Sequence, residues 1–538
     1  MKKIASNDNK YTVLIELLCV IAISTAFVLA LTIGVGPMNS GWHLVDDHQF
    51  LDYYSGFKYN NESLMSVIVS ELKRDALQQH RARFLYYPTR VLQTYLFGLN
   101  LVPYYIVKSI EGIIALCYLY YAGRELKLAR FRAALFAIIV LAGHQGAVLW
   151  KLGPQHLQST MFMAIGLYYM MVYLRLRKRA PLIGSLISFL LMACFHESFV
   201  VEIPFLVLFA LYQELHSENE DNNAKLSITR ILAIVRKDSQ LLIPLIGIFV
   251  VIMLYIAAFL GIFSYGVVKE DVPIRNIMSN LNAGFIDGNF KYYFWFGVAL
   301  LIIMISYYEN VKPIWQQVLL TAAFALPQIM LYTSESFYER YLLPLTFGWS
   351  LLFVAGYGTS VLSGARRVMS DILIILMALL LIRATVIDAD YYRFRGDSVT
   401  AALNEALKIS EQGYNVTSIL GISNPEADLV IGKYLIAYGQ DDCWYWHEGT
   451  KTISNTTPYS RNEDGEKYDI SDVGLFVAYN RDDAHFRVDP TLDLTSFHLV
   501  KCGSLNLYFS DEAYATLTSE DLEKFKVKPT IYGIGAQN

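Results

Sequence analysis

Long apolar runs alternate with short polar segments over the first 388 residues of the chain. A helix that crosses the hydrocarbon core of a bilayer needs ~20 largely apolar residues. By that length the pattern predicts about eleven membrane-spanning helices. They lie near residues 11–35, 100–122, 132–150, 157–174, 181–196, 199–213, 240–263, 291–308, 315–332, 339–361 and 371–388. The first run has no small-residue cleavage site after it, so it predicts an uncleaved signal anchor.

The pattern changes after residue 388, where polar and charged residues become frequent. Residues 398–412 predict a helix, and short apolar runs predict strands. These runs are Ile419–Ile422, Leu429–Ile431, Val473–Ala478, Phe497–Lys501 and Leu505–Phe509. Residues 389–538 therefore predict a soluble α/β or α+β domain of ~150 residues, a usual domain size. The expected fold class is a polytopic α-helical membrane protein over residues 1–388, followed by this exported domain.

Lysine and arginine residues in the short loops indicate the orientation, because they concentrate on the cytoplasmic side of a membrane. With a cytoplasmic N-terminus, every loop that falls inside is basic. Those loops carry Arg124, Lys127, Arg130 and Arg132; Arg175, Arg177, Lys178 and Arg179; Arg230, Arg236 and Lys237; Lys312; and Arg366 and Arg367. An odd number of spans then places the C-terminal domain outside. We expect an integral protein of a plasma or inner membrane with a periplasmic or extracellular C-terminal domain.

The composition agrees with a membrane location and excludes one class of partner. Charged residues make up 17% of the chain and hydrophobic residues 54%, whereas soluble proteins are ~25% charged. The formal net charge of −4 argues against a nucleic-acid partner. The inner loops are too short to build a pocket for a nucleotide sugar.

The sequence leaves open whether Cys443 and Cys502, in the polar C-terminal part, form a disulfide.

The first outer loop, residues 36–99, contains an amphipathic pattern over residues 62–82. The expected apolar face has Leu64, Val67, Ile68, Leu72 and Leu77, and the expected polar face has Glu71, Lys73, Arg74 and Asp75. Such a helix is expected to lie along the membrane surface. Arg83 and Arg90 follow it on the side of the membrane where basic residues are less frequent. We expect each to have an anionic partner, either a lipid phosphate or a carboxylate of the same loop.

Two adjacent carboxylates, Asp46 and Asp47, lie just after the first span, between His43 and His48. Repulsion and desolvation raise one pKa when two carboxylates are close together, and a general base near neutral pH can result. One carboxylate would then act as the base while the other holds a cation or the substrate. The alternative role is structural, with Asp47 capping a helix that begins at His48.

Further polar residues on the outer face are candidates for contacts with a substrate. They are Lys151 and His156, His196 and Glu197, and Glu339 and Arg340. Ionisable groups near membrane level, such as His196 and Glu197, are functional candidates because their burial is costly; a paired interfacial histidine is the alternative. Arg340 begins a late span, where its planar donors can bind a phosphate or pair with Glu339.

Together these features resemble the GT-C superfamily of integral-membrane glycosyltransferases. The resemblance covers the layout of the whole chain but only short motifs, namely Asp46-Asp47 in the first outer loop and Arg340-Tyr-Leu-Leu-Pro at a late span. It implies a polyprenyl-phosphate sugar donor and a glycan, lipid or protein acceptor, in cell-surface glycan assembly or modification. Asp46 or Asp47 would deprotonate the acceptor hydroxyl, which would attack the anomeric carbon with inversion.

The resemblance also implies that basic residues stabilise the departing phosphate. The candidates for this contact are Arg340, Arg83, Arg90 and Lys151. His48, directly after the acidic pair, and His196-Glu197 depart from the family pattern. With His156 and Glu339, they are candidates for contacting the acceptor or for binding a divalent metal, Mg²⁺ or Mn²⁺; the resemblance does not decide whether a metal is needed.

Other functions fit parts of this pattern. An O-antigen ligase or polymerase also acts outside on polyprenyl-linked glycans, but such enzymes place their key residues in a large late outer loop. A transporter or flippase would have paired broken helices in two corresponding halves, and no such halves correspond here. A structural scaffold of the cell envelope would need none of the histidines and arginines of the outer face.

Overall fold

The computed structural model of the chain describes residues 10–44, 46–78, 81–217, 228–260, 274–286, 288, 290–305, 323, 342–351, 364–422, 425–447, 450–456, 467–480 and 492–531. Its helices are α1 (Lys10–Leu29), α2 (His48–Lys58), α3 (Leu64–Leu77), α4 (Tyr86–Phe97), α5 (Leu101–Glu125), α6 (Arg130–Leu141), α7 (His156–Leu176), α8 (Arg179–Phe195), α9 (Ile203–Ser217), α10 (Ile228–Lys237), α11 (Ser239–Tyr255), α12 (Ile274–Phe285), α13 (Lys291–Ile305), α14 (Leu343–Leu351), α15 (Gly364–Glu411), α16 (Pro425–Ala437), α17 (Asp511–Ala515) and α18 (Ser519–Lys524). Its strands are β1 (Asn415–Ser418), β2 (Trp444–His447), β3 (Thr452–Ser454), β4 (Lys467–Tyr468), β5 (Val473–Tyr479), β6 (His498–Cys502) and β7 (Leu505–Phe509).

Six helices within the described residues are long and apolar enough to cross a membrane. They are Tyr11–Gly34, Leu101–Glu125, His156–Leu176, Glu197–Leu215, Ser239–Ala258 and Arg367–Glu411. The chain is therefore mostly helical, with helices suited to a membrane and a small C-terminal sheet. The expected span at 315–332 and most of the span at 339–361 lie outside the described residues. The total of about eleven spans stays a prediction.

Contacts between Cα atoms divide the chain into two compact units. The first, here called the helical unit, comprises Met1–Ala30, Ser70–Pro88 and Val107–Val386. The second, the mixed unit, comprises Leu31–Val69, Thr89–Ile106 and Ile387–Asn538. One boundary lies beside the expected one at residues 388 and 389, but the mixed unit also contains much of the first outer loop. One contact within it joins α2 to α16, where Lys433 Nζ lies 2.6 Å from Asp52 Oδ1.

In the helical unit, the run expected to span residues 132–150 does not form one helix, because α6 ends before Gly143. Gly143 has a φ of +110°, in the region that favours glycine. Polar side chains satisfy the backbone at this break: Thr346 donates to the carbonyl of Val140 at 3.1 Å, and Thr385 accepts from the N–H of Gly143 at 2.7 Å. A helix interrupted among apolar neighbours needs such partners, since water does not supply them.

The mixed unit contains a seven-stranded sheet in the order β4-β3-β2-β1-β5-β7-β6. β1 pairs in parallel with β2 and with β5, and the other pairs are antiparallel. α16 connects β1 to β2, since a parallel pair needs a crossover connection. The register aligns Thr417 with Trp444 on one side and with Phe476 on the other. Ile419, Trp446 and Phe476 belong to one buried core cluster on this sheet.

The expected strands of the C-terminal part are found in three of five cases, as β5, β6 and β7. Leu429–Ile431 lies within α16, so the predicted strand is wrong there. Ile419–Ile422 follows β1 and contains a 3₁₀ turn instead of a strand. Short apolar runs fit a buried strand and a buried helix equally well, and only length separates the two. The helix expected over residues 398–412 is the end of α15, which continues from the last apolar run without a break.

α3 forms where the amphipathic helix is expected, but the two faces differ from the prediction. Glu71 and Asp75, which the pattern places on the polar face, are both buried, whereas Leu77 is 70% exposed. Arg74 pairs with Glu71, and the charge of Arg83 lies near Asp75. Opposite charges offset part of the cost of burying a carboxylate. The hydrophobic periodicity of a sequence does not include this attraction between charges. It therefore places Glu71 and Asp75 on the solvent-exposed face.

Cys443 and Cys502 are free and buried in the mixed unit. The thiol Sγ of Cys502 lies 3.4 Å from the carbonyl oxygen of Ser398, and burial raises its pKa to about 12. A thiol with such a pKa is not ionised near neutral pH and is a weak nucleophile. Both cysteines therefore act as small core residues.

Candidate active site

The chain makes a tight turn between the first span and α2, and Thr400 of α15 holds it in place. The Thr400 hydroxyl donates to the carbonyl of Ser40 at 3.1 Å and accepts from the N–H of Trp42 at 3.1 Å. Gly41 lies between these two residues with a φ of +76°. A Cβ atom at Gly41 would lie 1.9 Å from Thr400 Oγ1. Only glycine permits both this backbone conformation and this close approach.

Asp47 lies at the N-cap position of α2, as the structural alternative expects, but its side chain does not cap the helix. Its carboxylate instead accepts a hydrogen bond from the backbone N–H of His43 at 2.9 Å. Asp47 is 1% exposed. A buried carboxylate keeps its charge only with hydrogen bonds or opposite charge around it. The bond from His43 therefore fixes the loop from the turn to α2.

The imidazole of His43 is held from two further sides. Its ring stacks on Tyr392 of α15, with ring centroids 3.5 Å apart and an angle of 15° between the planes. Its Nε2 lies 3.2 Å from Ser40 Oγ. Tyr392 and Tyr105 are both within electrostatic range of the Asp47 carboxylate. Asp47 is thus surrounded by a histidine and two tyrosines, all from the mixed unit.

Asp46 has a different environment from its neighbour. Its backbone φ is +70°, a left-handed conformation that is uncommon outside glycine and is enriched in Asp and Asn. Such a conformation costs ~1–3 kcal/mol and is concentrated at functional sites. The side chain of Asp46 is half-buried, whereas that of Asp47 is buried. Two carboxylates in different environments can have different chemical roles.

His48 directly follows the acidic pair in the mixed unit, and Arg90 contacts the next two residues, Gln49 and Phe50. His48 is the first residue of α2 and is half-buried. Arg90 is fully buried, donates to the side-chain oxygen of Gln49 and lies 5.2 Å from the ring centroid of Phe50. Arg90 was expected to have an anionic partner, with the donor phosphate as one candidate. The structure instead packs Arg90 against α2, where it holds the start of the helix.

In the helical unit, Arg83 has a carboxylate partner. Its Nε and Nη2 each donate to Glu197 at 2.6 Å, a bidentate pair with both side chains almost fully buried. Burial lowers the pKa of Arg83, but Glu197 outweighs this and raises it well above its usual value. A protein carboxylate thus occupies these donors, and Glu197 comes from a later segment of the chain, whereas the carboxylate alternative expected a partner within residues 36–99.

His156 and His196 also meet in the helical unit, with ring centroids 3.9 Å apart. His196 Nδ1 accepts from the N–H of Ser198 at 3.2 Å and lies 3.9 Å from Glu197 Oε2. The structure therefore brings His156 together with His196-Glu197, which the sequence placed on one face without predicting contacts. Lys151 is half-buried in the same unit.

Two of the predicted site residues lie outside the part of the chain that the structure describes, and two residues of the site were not predicted. Glu339 and Arg340 lie outside the described residues. Among the residues that the structure describes, no three His, Cys, Asp or Glu side chains converge in a way that could hold a metal ion. Tyr392 and Thr400 were not predicted, because nothing in the sequence relates the polar part of α15 to the distant acidic pair.

No protein-family model matches this sequence, and no curated protein matches it. Among solved structures, the chain is similar to the apo form of the oligosaccharyltransferase of Archaeoglobus fulgidus, with a TM-score of 0.41 and 14% sequence identity. The similarity covers 70% of this chain and 56% of the archaeal chain. The chain thus spans little more than half the length of that structure.

Proposed function

We propose that the protein is a membrane glycosyltransferase that moves a sugar from a polyprenyl-phosphate donor to an acceptor hydroxyl on the outer face of the membrane. The observation that carries this proposal is the unequal pair Asp46 and Asp47. One carboxylate is buried and held by a backbone N–H, and the other is half-buried on a left-handed backbone. Helix capping explains neither arrangement, since the Asp47 side chain makes no cap bond.

Asp46 is the proposed general base, because its carboxylate is the less buried of the two. It takes the proton of the acceptor hydroxyl as that oxygen forms a bond to the anomeric carbon. The bond from the anomeric carbon to the phosphate oxygen breaks, and its electron pair leaves with the polyprenyl phosphate. The sugar is transferred with inversion. A positioned base of this kind contributes ~10²–10⁴-fold to a rate.

Asp47 is the proposed positioning residue. Its bond to the N–H of His43 fixes the loop that carries Asp46, and its charge lies near the Tyr392 hydroxyl. For the leaving phosphate, Arg340 and Lys151 stay as proposed contacts from the sequence. Arg83 and Arg90 are assigned to structural roles, because each has a protein partner. A requirement for Mg²⁺ or Mn²⁺ is tested directly with EDTA.

The test uses the full chain in nanodiscs with a panel of synthetic polyprenyl-phosphate sugars, and it measures transfer and donor hydrolysis. Asp46→Asn should lower kcat by ~10²-fold or more, the size of a lost general base. Asp441→Asn is the matched control, because Asp441 is an exposed carboxylate of the same unit. Wild-type kcat in both Asp46→Asn and Asp47→Asn would exclude the pair from catalysis. If the wild type neither binds nor turns over any donor, a transporter or flippase becomes the better assignment.

A further inference from the structure

A polar groove of about 700 Å³ lies in the mixed unit, between the polar half of α15 and the segment that follows α18. Pockets that bind small molecules typically measure ~300–1,000 Å³, so this groove has room for a ligand of several sugar rings. Its basic lining residues are Arg393, Lys408, Lys524, Lys526 and Lys528. Its acidic lining residues are Asp397, Glu405 and Asp521. The groove is therefore positive, in a chain whose net charge is −4.

The acidic residues of the groove are already bound by its own cations. Arg393 Nη1 lies 2.8 Å from Asp397, and Lys408 Nζ lies 2.7 Å from Asp521 Oδ2 and 3.5 Å from Glu405. The hydrogen bonds from Lys408 and from Thr518 hold the pKa of Asp521 well below its usual value. Asp521 therefore stays ionised, and all three carboxylates are paired. They do not repel a ligand as strongly as unpaired charges would.

Three lysines remain to offer charge to a ligand. Along Lys524–Lys528, burial alternates: Phe525 is buried and Val527 half-buried, while Lys524, Lys526 and Lys528 are exposed. Lys524 and Lys526 contact Glu520 and Glu523, but these pairs are mostly exposed neighbours on one short segment. Exposed pairs of this kind contribute little energy and rearrange easily. An anionic ligand can therefore replace Glu520 and Glu523 as the partner of these ammonium groups.

Neutral polar groups complete the lining and suit hydroxyl groups. Asn404 is exposed in the groove, and its side-chain oxygen accepts from the Tyr434 hydroxyl at 2.8 Å. That bond orients the amide of Asn404 so that its NH₂ group can donate to a ligand. Asn39 and Thr400 also line the groove. Hydroxyl-rich ligands need such fixed donors and acceptors.

One end of the groove is lined by two residues that contact the candidate active site. Ser40 lines the groove, and its hydroxyl lies 3.2 Å from His43 Nε2. The N–H of His43 in turn binds Asp47. Thr400, also in the lining, holds the backbone on both sides of Gly41. A ligand in the groove would thus lie against the turn that precedes the acidic pair.

We propose that this groove binds the acceptor and that the acceptor is an anionic glycan, with sugars that carry carboxylate or phosphate groups. The lysines bind the acidic groups, Asn404 and Thr400 bind hydroxyls, and the chain of the glycan leads to the turn at Ser40. The role as an acceptor rests on the proposed transferase function, whereas the binding itself does not. The two are therefore tested by separate measurements.

Binding is measured by calorimetry on the full chain in phosphatidylcholine nanodiscs, without donor, with hexagalacturonate as the acidic probe and maltohexaose as the neutral one. We expect hexagalacturonate to bind at least ten-fold more tightly, with an affinity that falls as NaCl rises. The double variant Lys526→Glu/Lys528→Glu should weaken it at least ten-fold, and Asn404→Ala should weaken both probes. Lys501→Glu, a reversal on exposed β6, is the matched control and should change the affinity less than two-fold.

Equal binding of the two probes, no binding of hexagalacturonate, or wild-type affinity in the double lysine variant would each overturn the proposal. Asp46→Asn should keep full affinity for the glycan while it loses transfer. In a transfer assay with an acidic acceptor, the lysine variant should raise KM for the acceptor and keep kcat. An unchanged KM would overturn the acceptor role of the groove and leave the role of Asp46 intact, whereas wild-type transfer in Asp46→Asn would overturn the role of Asp46 as the base alone. No transfer by the wild type would overturn the proposed function and leave the binding result standing.

Discussion

The backbone N–H of His43 donates to the carboxylate of Asp47, the residue at the N-cap position of α2. The carboxylate therefore binds His43 and not the backbone of α2. We expect Asp47→Ala to leave that N–H buried without an acceptor. The cost of such a group is ~1–3 kcal/mol. The melting temperature in nanodiscs should therefore fall, and His43 should no longer hold the loop. Asp47→Asn keeps an acceptor and should cost less; equal losses for the two variants would contradict this role of the bond.

Gly41→Ala should destabilise the mixed unit through two effects. The φ of +76° is unfavourable for alanine, by ~1–2 kcal/mol. The new Cβ would also meet Thr400 Oγ1 at 1.9 Å, which requires the turn or α15 to move. The matched control is Gly413→Ala, with a φ of +88° and no atom within 4 Å of its Cβ. Thermal unfolding should show a clearly larger loss for Gly41→Ala, and equal losses would show that the turn has room to adjust.

Arg83 and Glu197 form a buried pair, and each single substitution should be costly. Glu197→Gln removes the charge opposite Arg83, and breaking a buried pair costs ~3–5 kcal/mol. The double variant Arg83→Met/Glu197→Gln should recover part of this loss, because no uncompensated charge then remains buried. The thermal stabilities of the four forms give the coupling energy. If Arg83 binds the donor phosphate instead, Arg83→Met will raise KM for the donor while Glu197→Gln leaves stability near that of the wild type.

Asp75 should make the stability depend on pH. Burial raises its pKa to about 6, although Arg83 and Arg81 act to lower it. Between pH 4 and pH 6 the folded chain holds this proton and the unfolded chain releases it, so stability falls as pH rises through this range. One pKa unit corresponds to ~1.4 kcal/mol, so the loss is at most about 3 kcal/mol. Above about pH 6 both states are ionised, and the dependence levels off.

Asp428 should add to the pH dependence of stability in the same range. Burial raises its pKa to about 6, although the hydrogen bond from Ser418 acts to lower it. Melting temperatures from pH 4 to pH 8 should fall less in Asp75→Asn and in Asp428→Asn than in the wild type, and least in the double variant. Parallel curves for the wild type and the double variant would mean that neither carboxyl holds its proton in the folded state near pH 5.

The sequence alone determines the features that depend on local pattern. Six of the apolar runs predict long helices that the described part of the chain contains, since hydrocarbon requires every backbone group to be bonded within its own segment. The runs that become β5, β6 and β7 were also predictable, and so was the start of α2 directly after Asp47. The acidic pair itself was visible as a candidate, because its position after a span is a property of the chain.

Only the tertiary structure decided which groups meet. The stacking of His43 on Tyr392, the hold of Thr400 on the turn, and the partner of Arg83 join residues that are far apart in the chain. The burial of Glu71 and Asp75, which periodicity assigns to the solvent-exposed face, also depends on tertiary packing, although Arg74 and Arg83 are close to them in the chain. Burial of charge is favourable only where a specific partner is present. Packing between distant segments determines which partner is present. The order of residues along one segment does not contain that information.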